Sequence, residues 1–331
     1  MGSGTVLMAA PVDQDAAKRK ALVDNRRPRT PRHIDEALTR ASPAAAEASG
    51  VAGRVGVSQA RVIVFGNEKG GAGKTTIAIH LITALLHEGA KVATIDLDLR
   101  QQSQAHFFAS RRAWAASAGA DLPMPMETIA AGGLALTRVG PEDALARFEG
   151  LFDEAVAEAD YVVIDTPGGD TALSRRAHSR ADLIVTPMND SFVDFDLLGQ
   201  VDPVTLDLVR PSIYSETVWE SRKAKMAERR SSIDWVVLRN RLATTEARNR
   251  KRLEERMVAL ARRVGFRILP GLRDRVIYRE LFPFGLTVAD LSPGVRPVPV
   301  SLSHIAARQE LRALTHELGL PLFPARILAA S

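Results

Sequence analysis

The sequence predicts a doubly wound α/β fold, in which helices flank a mostly parallel sheet, and three observations support this prediction. Short apolar runs with the character of buried parallel strands recur along the chain, at residues 61–66, 91–95, 161–164, 183–185 and 233–238. Helical stretches alternate with them, at residues 74–88, 101–118, 141–159 and 244–264. A glycine-rich segment joins the first run to the first helical stretch. Such alternation is typical of a doubly wound sheet.

Composition narrows the class of protein. Of the 331 residues, 46% are hydrophobic and 25% are charged, which is the balance of an ordinary soluble globular protein. The chain contains no cysteine, which excludes a cysteine-held iron–sulfur cluster, a thiol nucleophile and a cysteine zinc site. No apolar run approaches the ~20 residues of a membrane helix, and residues 1–10 lack the basic region of a signal peptide. We therefore expect a cytoplasmic protein.

The N-terminal part of the chain differs from the remainder. Residues 1–60 carry basic clusters, prolines and an Ala/Ser/Gly-rich run, with little apolar surface to bury. This composition predicts a disordered tail, which either touches nucleic acid or is simply solvated. Residues 61–325 are expected to form a single domain, followed by a flexible C-terminus at 326–331.

The glycine-rich segment has the pattern of a phosphate-binding loop, because it follows a predicted strand and opens a predicted helix. Its residues are Lys69, Gly70, Gly71, Ala72, Gly73, Lys74, Thr75 and Thr76. Glycine backbone can turn its N–H groups toward phosphate oxygens, and the following helix adds its positive dipole end. In such loops Lys74 faces the β- and γ-phosphates and the Thr75 hydroxyl can ligate Mg²⁺. The sequence therefore predicts a site for ATP and Mg²⁺.

Carboxylates at the ends of two strands are candidates for the same site. Asp165 ends the run YVVID before a glycine-rich turn, where a second magnesium-holding side chain is expected. Asp96 and Asp98 end the run KVATIDLD, and strand-end aspartates also commonly cap helices. Asn240 follows the strand at 233–238, and its amide offers the donor and acceptor that suit an adenine edge, although a turn asparagine is the alternative.

One departure from the usual loop pattern carries a family resemblance. Glu68 stands where a strict pattern has glycine, and Lys69 precedes the glycines. This K-G-G-x-G-K-T motif resembles the deviant Walker A motif of the ParA/MinD family of partition and positioning ATPases. By this resemblance Lys69 reaches the phosphates of a partner subunit, which couples nucleotide binding to dimerisation. The resemblance also implies that Asp98 polarises the attacking water and Asn240 reads adenine, while Asp96 is the alternative structural aspartate.

Positive charge is concentrated late in the chain. Residues 239–279 contain thirteen Lys/Arg and four Asp/Glu, which gives +9, whereas the whole chain carries +5. On the predicted helix at 244–264 one face is apolar, and a stripe of arginines lies beside it. These are Arg248, Arg252, Arg256 and Arg263. A one-sided basic stripe suits non-specific binding to the DNA backbone, and the alternative is a solvated helix face.

Beyond the phosphate loop the chain most resembles the MipZ branch of this family, the division-plane positioning ATPases of α-proteobacteria. The resemblance rests on segments such as VTPMNDSFVDFDLLG, WVVLRNRLATTEARNRKRLE and GLRDRVIYRELFPFGLT. It implies a homodimer formed on ATP that binds double-stranded DNA, is recruited by ParB and blocks FtsZ polymerisation. Slow ATP hydrolysis would return it to the monomer, and it would lie on the nucleoid near the chromosome origins at the cell poles.

Other functions on the same fold remain as alternatives. The runner-up is a ParA-type partition ATPase that shares the switch but has no FtsZ target. A small-molecule ligase or kinase is a third class and would turn over a second substrate. A MinD-like membrane helix is not expected, because residues 320–324, after the last predicted helix at 303–318, contain two prolines. Residues 211–232 are predicted to form an exposed helical insertion that serves a partner or merely elaborates the surface.

Overall fold

The runs of valine, isoleucine and leucine identified above form the strands of a six-stranded parallel sheet. In chain order its strands are β1 (Arg61–Phe65), β2 (Val92–Asp96), β3 (Tyr161–Asp165), β4 (Leu183–Asn189), β7 (Asp234–Asn240) and β8 (Arg267–Pro270). Their order across the sheet is β2-β3-β1-β4-β7-β8, and every neighbouring pair is parallel. β5 (Gly199–Val201) and β6 (Leu208–Pro211) form a separate antiparallel pair.

The helices connect these strands. They are α1 (Lys74–His87), α2 (Ser103–Ala118), α3 (Pro141–Glu158), α4 (Ala172–Arg180), α5 (Ile213–Arg229), α6 (Ala247–Leu260), α7 (Ile277–Glu280) and α8 (Leu302–Glu317). A π-helical turn, Ala261–Gly265, follows α6, and a 3-10 turn, Phe282–Phe284, follows α7. None of the helices in the described part of the chain is long and apolar enough to cross a membrane.

The computed structural model describes residues 60–126, 140–189, 197–202, 205, 208–240, 247–292, 294–295, 297 and 299–320. The predicted N-terminal tail, apart from Ala60, and the predicted flexible C-terminus lie outside these residues. All described residues belong to one compact unit, Val57–Ser331.

Alternate residues of each strand face opposite sides of the sheet and build two halves of the core. Val62 and Val64 of β1 face one half, which includes Phe148 and Phe152 of α3. Ile63 of β1 faces the other half, to which α1 and α8 contribute their apolar faces. Because the sheet is buried on both sides, its strands are apolar runs rather than alternating ones. This arrangement confirms the predicted fold class.

The first helix, α1, is the most enclosed of the connecting helices that the structure describes. Ten of its fourteen residues are buried, and seven of these ten are apolar. His80 is among the buried residues; its Nδ1 lies 2.8 Å from the Thr76 carbonyl oxygen, and its ring packs edge-on against Tyr278. A helix held in this way gives the preceding phosphate loop a fixed support.

The segment predicted as an exposed insertion at 211–232 is a helix, but it is not an exposed addition. α5 is the connection that brings the chain back to β7, and Tyr214 and Val218 are buried on the sheet. The Tyr214 hydroxyl lies 3.1 Å from His178 Nε2 and 3.0 Å from Thr186 Oγ1. The expectation of an exposed insertion was wrong. Tyr214 and Val218 are separated by polar and charged residues, so the segment as a whole has a polar composition.

A buried ion pair joins α2 to the segment that precedes α8. The Arg111 guanidinium donates to both carboxylate oxygens of Asp290 at 2.8 and 2.7 Å, and both side chains are fully buried. His87 contacts the same carboxylate at 2.6 Å. Burial alone would raise the pKa of Asp290, but the bonds from His87 and Arg111 hold it well below its usual range.

Gly285 lies against the backbone of Arg111. A Cβ atom at Gly285 would come within 2.0 Å of the Arg111 backbone nitrogen, and its φ of +64° is in the left-handed region. Only glycine therefore fits this contact. The glycine lets the chain after the 3-10 turn pack directly on α2.

Candidate nucleotide-binding site

The carboxyl ends of the central strands bring the predicted site residues together. β3 pairs with both β1 and β2, and the register places Asp165 opposite Phe65 on one side and opposite Asp96 on the other. The phosphate loop leaves β1 at this same edge. Residues that are far apart in sequence thus meet where ligands bind in parallel α/β sheets.

The phosphate loop has the backbone conformation that its glycines predict. Gly71 and Gly73 adopt φ values of +78° and +93°, a region that disfavours other residues. Gly73 is restricted a second time, because a Cβ there would lie 2.6 Å from the Asn240 amide nitrogen. The loop then enters α1 at Lys74, so its N–H groups and the helix end face the same space.

The two lysines of the loop occupy different environments. Lys74 is buried, and its Nζ donates to the carbonyl oxygens of Asn67 and Lys69 at 3.3 Å each. Burial lowers the pKa of Lys74, and the nearby carboxylates of Asp165 and Asp98 oppose that shift. Lys69 is exposed at the surface. One lysine therefore faces into its own loop, whereas the other stands at its rim.

Asn67 was not identified from the sequence, although it shapes the loop. Its amide nitrogen donates to the Pro187 carbonyl at 2.6 Å, and its side-chain oxygen accepts from the Lys69 backbone nitrogen at 3.0 Å. The residue is buried. An asparagine two residues after a buried strand was the available signal.

Thr75 and Asp165 form the pair that was predicted to hold magnesium. The Thr75 hydroxyl donates to Asp165 Oδ2 at 2.5 Å, while the buried Oδ1 has no hydrogen-bond partner in the described structure. Burial raises the pKa of Asp165 to about 7, against the opposing hydrogen bond from Thr75. A hydroxyl beside an unpaired carboxylate oxygen is a donor set that suits Mg²⁺ together with phosphate oxygens. The residues therefore fit the ion.

Asp96, the last residue of β2, and Asp98, two residues later, lie in different environments. Asp96 is buried and accepts from the backbone nitrogens of Asp98 and Gln104, at 3.0 and 3.1 Å, so it fixes the turn into α2. This is the structural alternative considered for Asp96. Asp98 is partly exposed, and its carboxylate accepts from the Gln101 nitrogen at 3.1 Å. Asp98 borders the same cavity as the phosphate loop.

Asn240 lies at the end of β7, beside the loop. Its Nδ2 donates to the Ala72 carbonyl at 3.0 Å, and the side chain is buried. Asn240 also borders a small cavity of about 50 Å³. The structure thus gives it a contact with the loop that the sequence did not predict, and its predicted contact with adenine stays a prediction.

A cavity of about 590 Å³ opens over the phosphate loop. It is bordered by six loop residues, by residues in and just before α2, and by residues in and just after α7. The residues outside the loop include Gln101, Ser103, His106, Phe107, Ser110, Arg279 and Phe282. None of these residues was identified from the sequence. For Arg279 and Phe282 the reason is distance, because nothing in the sequence places them beside a loop more than 200 positions earlier.

The basic helix is present, and its apolar face packs as predicted. Met257, Leu260 and Val264 are buried. The predicted DNA-contacting residues Arg248, Arg252 and Arg256 lie on α6, and Arg263 lies in the π-helical turn after it. Arg263 is exposed and Arg256 is half-buried, whereas the side chains of Arg248 and Arg252 lie outside the described part of the structure.

Comparison with protein families gives a match over most of the chain. A family model described as ATPase MipZ matches residues 61–322. The matched range begins at β1 and includes the phosphate loop, the strand-end aspartates and α8. It confirms the resemblance drawn from the sequence.

Two solved structures illustrate the similarity of fold. A variant of McdA from Cyanothece in complex with ATP is 19% identical, with a TM-score of 0.51, and the match covers 80% of this chain and 98% of that one. At this identity the likeness concerns the fold alone. The MinC:MinD cell division protein complex of Aquifex aeolicus gives 16% identity, the same coverages and a TM-score of 0.45.

A curated relative matches a shorter part of the chain. An iron–sulfur cluster carrier protein of Deinococcus radiodurans is 30% identical over 151 residues, which is 40% of this chain. The match spans 42% of that relative's length. The present chain has no cysteine with which to hold such a cluster.

Proposed function

Because the chain belongs to the MipZ ATPase family, a family of positioning and partition ATPases, we propose that it is an ATP-dependent dimeric switch that positions the cell-division plane. In this proposal the ATP-bound dimer binds DNA without sequence preference, is recruited by ParB and inhibits FtsZ polymerisation. Slow hydrolysis returns the protein to the monomer, so that the ATPase activity serves regulation.

The observation that supports the switch is the different environment of the two lysines of the phosphate loop. Lys74 is buried in its own loop, bonded to backbone carbonyl oxygens, while Lys69 is exposed at the rim. A lysine exposed at the rim of the loop lies on a surface that a second subunit can approach. In the proposal Lys69 contacts the nucleotide of the partner, so a stable dimer requires ATP in both sites.

Each site residue has a distinct task in holding the nucleotide. The loop N–H groups and Lys74 bind phosphate oxygens, and Thr75 with Asp165 holds Mg²⁺. When bound, the ion neutralises charge on the phosphates. Asn240 borders the small cavity on the other side of Gly73, which favours that side for the adenine.

Hydrolysis requires a water molecule aligned with the γ-phosphate. Asp98 is the carboxylate that borders the cavity with the loop, and the Gln101 backbone nitrogen fixes its orientation. In the proposal Asp98 accepts a hydrogen bond from this water and orients it for attack at phosphorus.

The basic stripe supports the DNA-binding part of the proposal. α6 buries its apolar face on the protein, so a dimer would present two copies of the stripe. Two weak phosphate-binding surfaces joined in one dimer bind much more tightly than either alone. DNA binding would then depend on ATP, and the protein would lie on the nucleoid in the cytoplasm, concentrated by ParB near the chromosome origins at the cell poles.

Assembly of FtsZ, followed by light scattering, tests the proposal. With ATP the wild-type protein should reduce FtsZ assembly, and with ADP it should not. Asp98→Ala should inhibit more strongly, because the dimer is not reset, and Lys74→Ala should have no effect. If the wild-type protein binds ATP and dimerises but leaves FtsZ assembly unchanged, a ParA-type partition ATPase without an FtsZ target becomes the better assignment.

A further inference from the structure

Two cavities meet beside the phosphate loop. The larger, of about 590 Å³, contains the loop and Asp98, and the smaller, of about 50 Å³, contains Asn240. Three residues border both cavities, namely Gly73, Thr76 and Arg279. They therefore mark the passage from one cavity to the other.

A nucleotide in this site has to cross that passage. Its β- and γ-phosphates lie against the loop in the larger cavity, and its base lies on the side of Asn240, as the proposed function requires. The α-phosphate and ribose connect these two parts. Of the three residues at the passage, Arg279 is the one with a charged side chain.

The backbone of Arg279 is fixed relative to the phosphate loop. In α7 its neighbours Ile277 and Tyr278 are buried, and the Tyr278 hydroxyl donates to the Ala307 carbonyl of α8 at 3.2 Å. The Tyr278 ring contacts His80 of α1, with the ring centroids 5.1 Å apart. Because α1 begins at the phosphate loop, α7 is held at a set position beside it.

The side chain of Arg279, in contrast, is held loosely. The side chain is 66% exposed, and its guanidinium lies 3.3 Å from the carboxylate of Asp274, a side chain that is 57% exposed. Such a pair contributes little in water, so the guanidinium can exchange partners at small cost. Arg275, four residues earlier in the same segment, is instead held at 2.6 Å by the less exposed Glu310.

We propose that Arg279 is a nucleotide-binding residue whose guanidinium donates to the α-phosphate of bound ATP or ADP. The inference rests on the proposed function for the orientation of the nucleotide. The guanidinium offers several N–H donors in a planar fork that matches phosphate oxygens. Because the contact is to the α-phosphate, it serves ATP and ADP alike and does not depend on dimerisation.

Equilibrium binding of ADP, measured by titration calorimetry with Mg²⁺, tests this inference. ADP is used because the proposed dimer forms with ATP. Arg279→Gln should weaken ADP binding by on the order of tenfold, the usual loss for one charge-assisted hydrogen bond. Arg279→Lys should recover part of that loss. The control Arg312→Gln removes an exposed arginine of α8 that borders neither cavity and should bind ADP as the wild type does.

The outcomes separate this inference from the proposed function. If wild-type protein binds ADP and Arg279→Gln binds it equally well, the contact with Arg279 is refuted while the switch survives. If Arg312→Gln is weakened as much as Arg279→Gln, the effect is one of net charge and the inference is also refuted. If the wild-type protein itself binds neither ATP nor ADP, the proposed function fails as a whole.

Discussion

The hydroxyl of Thr75 and the carboxylate of Asp165 lie 2.5 Å apart, although ninety positions separate them in the chain. Strand pairing between β1 and β3 brings them together, and it leaves Asp165 Oδ1 buried without a partner. A buried carboxylate oxygen with no donor is unfavourable unless a cation or a proton occupies it. A Mg²⁺ ion bound beside Thr75 would supply the missing partner of Asp165 Oδ1.

Replacing Asp165 by Asn should remove the effect of magnesium on nucleotide binding. In the wild-type protein Mg²⁺ should tighten ATP binding, and in Asp165→Asn that gain should fall by on the order of tenfold or more, because an amide is a poorer ligand. The measurement is ATP affinity with Mg²⁺ and with EDTA. Equal magnesium dependence in both proteins would remove Asp165 from the ion site.

Substitution of the two loop lysines should separate binding from dimerisation. Lys69→Ala should keep the ATP affinity of the monomer within a few-fold and lose the ATP-dependent dimer, because its side chain lies at the rim of the loop. Lys74→Ala should lose nucleotide binding itself. Calorimetry gives the first quantity and analytical ultracentrifugation the second. An ATP-dependent dimer of Lys69→Ala would contradict the proposed switch.

Charge reversal on α6 should weaken DNA binding and leave nucleotide binding intact. The double variant Arg248→Glu with Arg252→Glu should bind DNA at least tenfold more weakly with ATP present, and its affinity should fall less steeply with salt. Arg262→Glu, which reverses one exposed arginine that is not among the four stripe residues, is the control. If the double variant bound DNA with unchanged affinity, the stripe would be a solvated helix face that does not contact DNA.

His80 should make the protein less stable as the pH falls. Burial lowers the pKa of His80 to about 4, whereas in the unfolded chain it is about 6.5. Protons therefore favour the unfolded state between these values, and the stability contributed by neutral His80 is complete above pH 6.5 and lost toward pH 4. The loss should reach about 3 kcal/mol.

The measurement is urea unfolding of the wild-type protein and His80→Gln from pH 7.5 to 4.5. The variant should lose less stability over this range than the wild-type protein. The buried His178, whose pKa is lowered mainly by burial, is present in both proteins and cancels in the difference. Parallel pH profiles would show that His80 does not titrate in this way.

Asp290→Asn should destabilise the fold strongly, because it leaves the buried Arg111 guanidinium without a counter-charge. Loss of one partner from such a pair costs roughly 3–5 kcal/mol. Thermal and urea unfolding measure it, and Glu220→Gln, which breaks an exposed pair with Lys223, should change little. Since the pKa of Asp290 lies below its usual range, the cost should persist at neutral pH and shrink below pH ~4.

Local sequence patterns determined much of the fold and of the phosphate site. The strands around the site were predictable, because a strand buried on both faces is an uninterrupted apolar run, as in residues 161–164. The loop residues were predictable because glycine, lysine and threonine each supply a separate property that phosphate or magnesium needs. Asp165 was predictable from its position at a strand end.

Other features depend on contacts that local patterns do not contain. β8 and the β5–β6 pair are short and lack a clear period, and α4 is a polar helix of nine residues, so none of them was predicted. α5 was predicted to be an exposed insertion, because the sequence alone does not show that Tyr214 and Val218 pack against the sheet. Arg279 reaches the site through the packing of Tyr278 on His80, which no spacing in the sequence reveals.

The hydrogen bond from Lys74 Nζ to the Lys69 carbonyl oxygen links the two lysines of the loop. Binding of a nucleotide would be expected to change this hydrogen bond. Charged phosphate oxygens are stronger acceptors than amide carbonyls, so an arriving nucleotide competes for the same ammonium group. If Lys74 changed acceptor in this way, the Lys69 carbonyl oxygen would lose this hydrogen bond. Nucleotide binding inside the pocket would thus alter the contacts of Lys69, which lies on the surface proposed to meet the partner subunit.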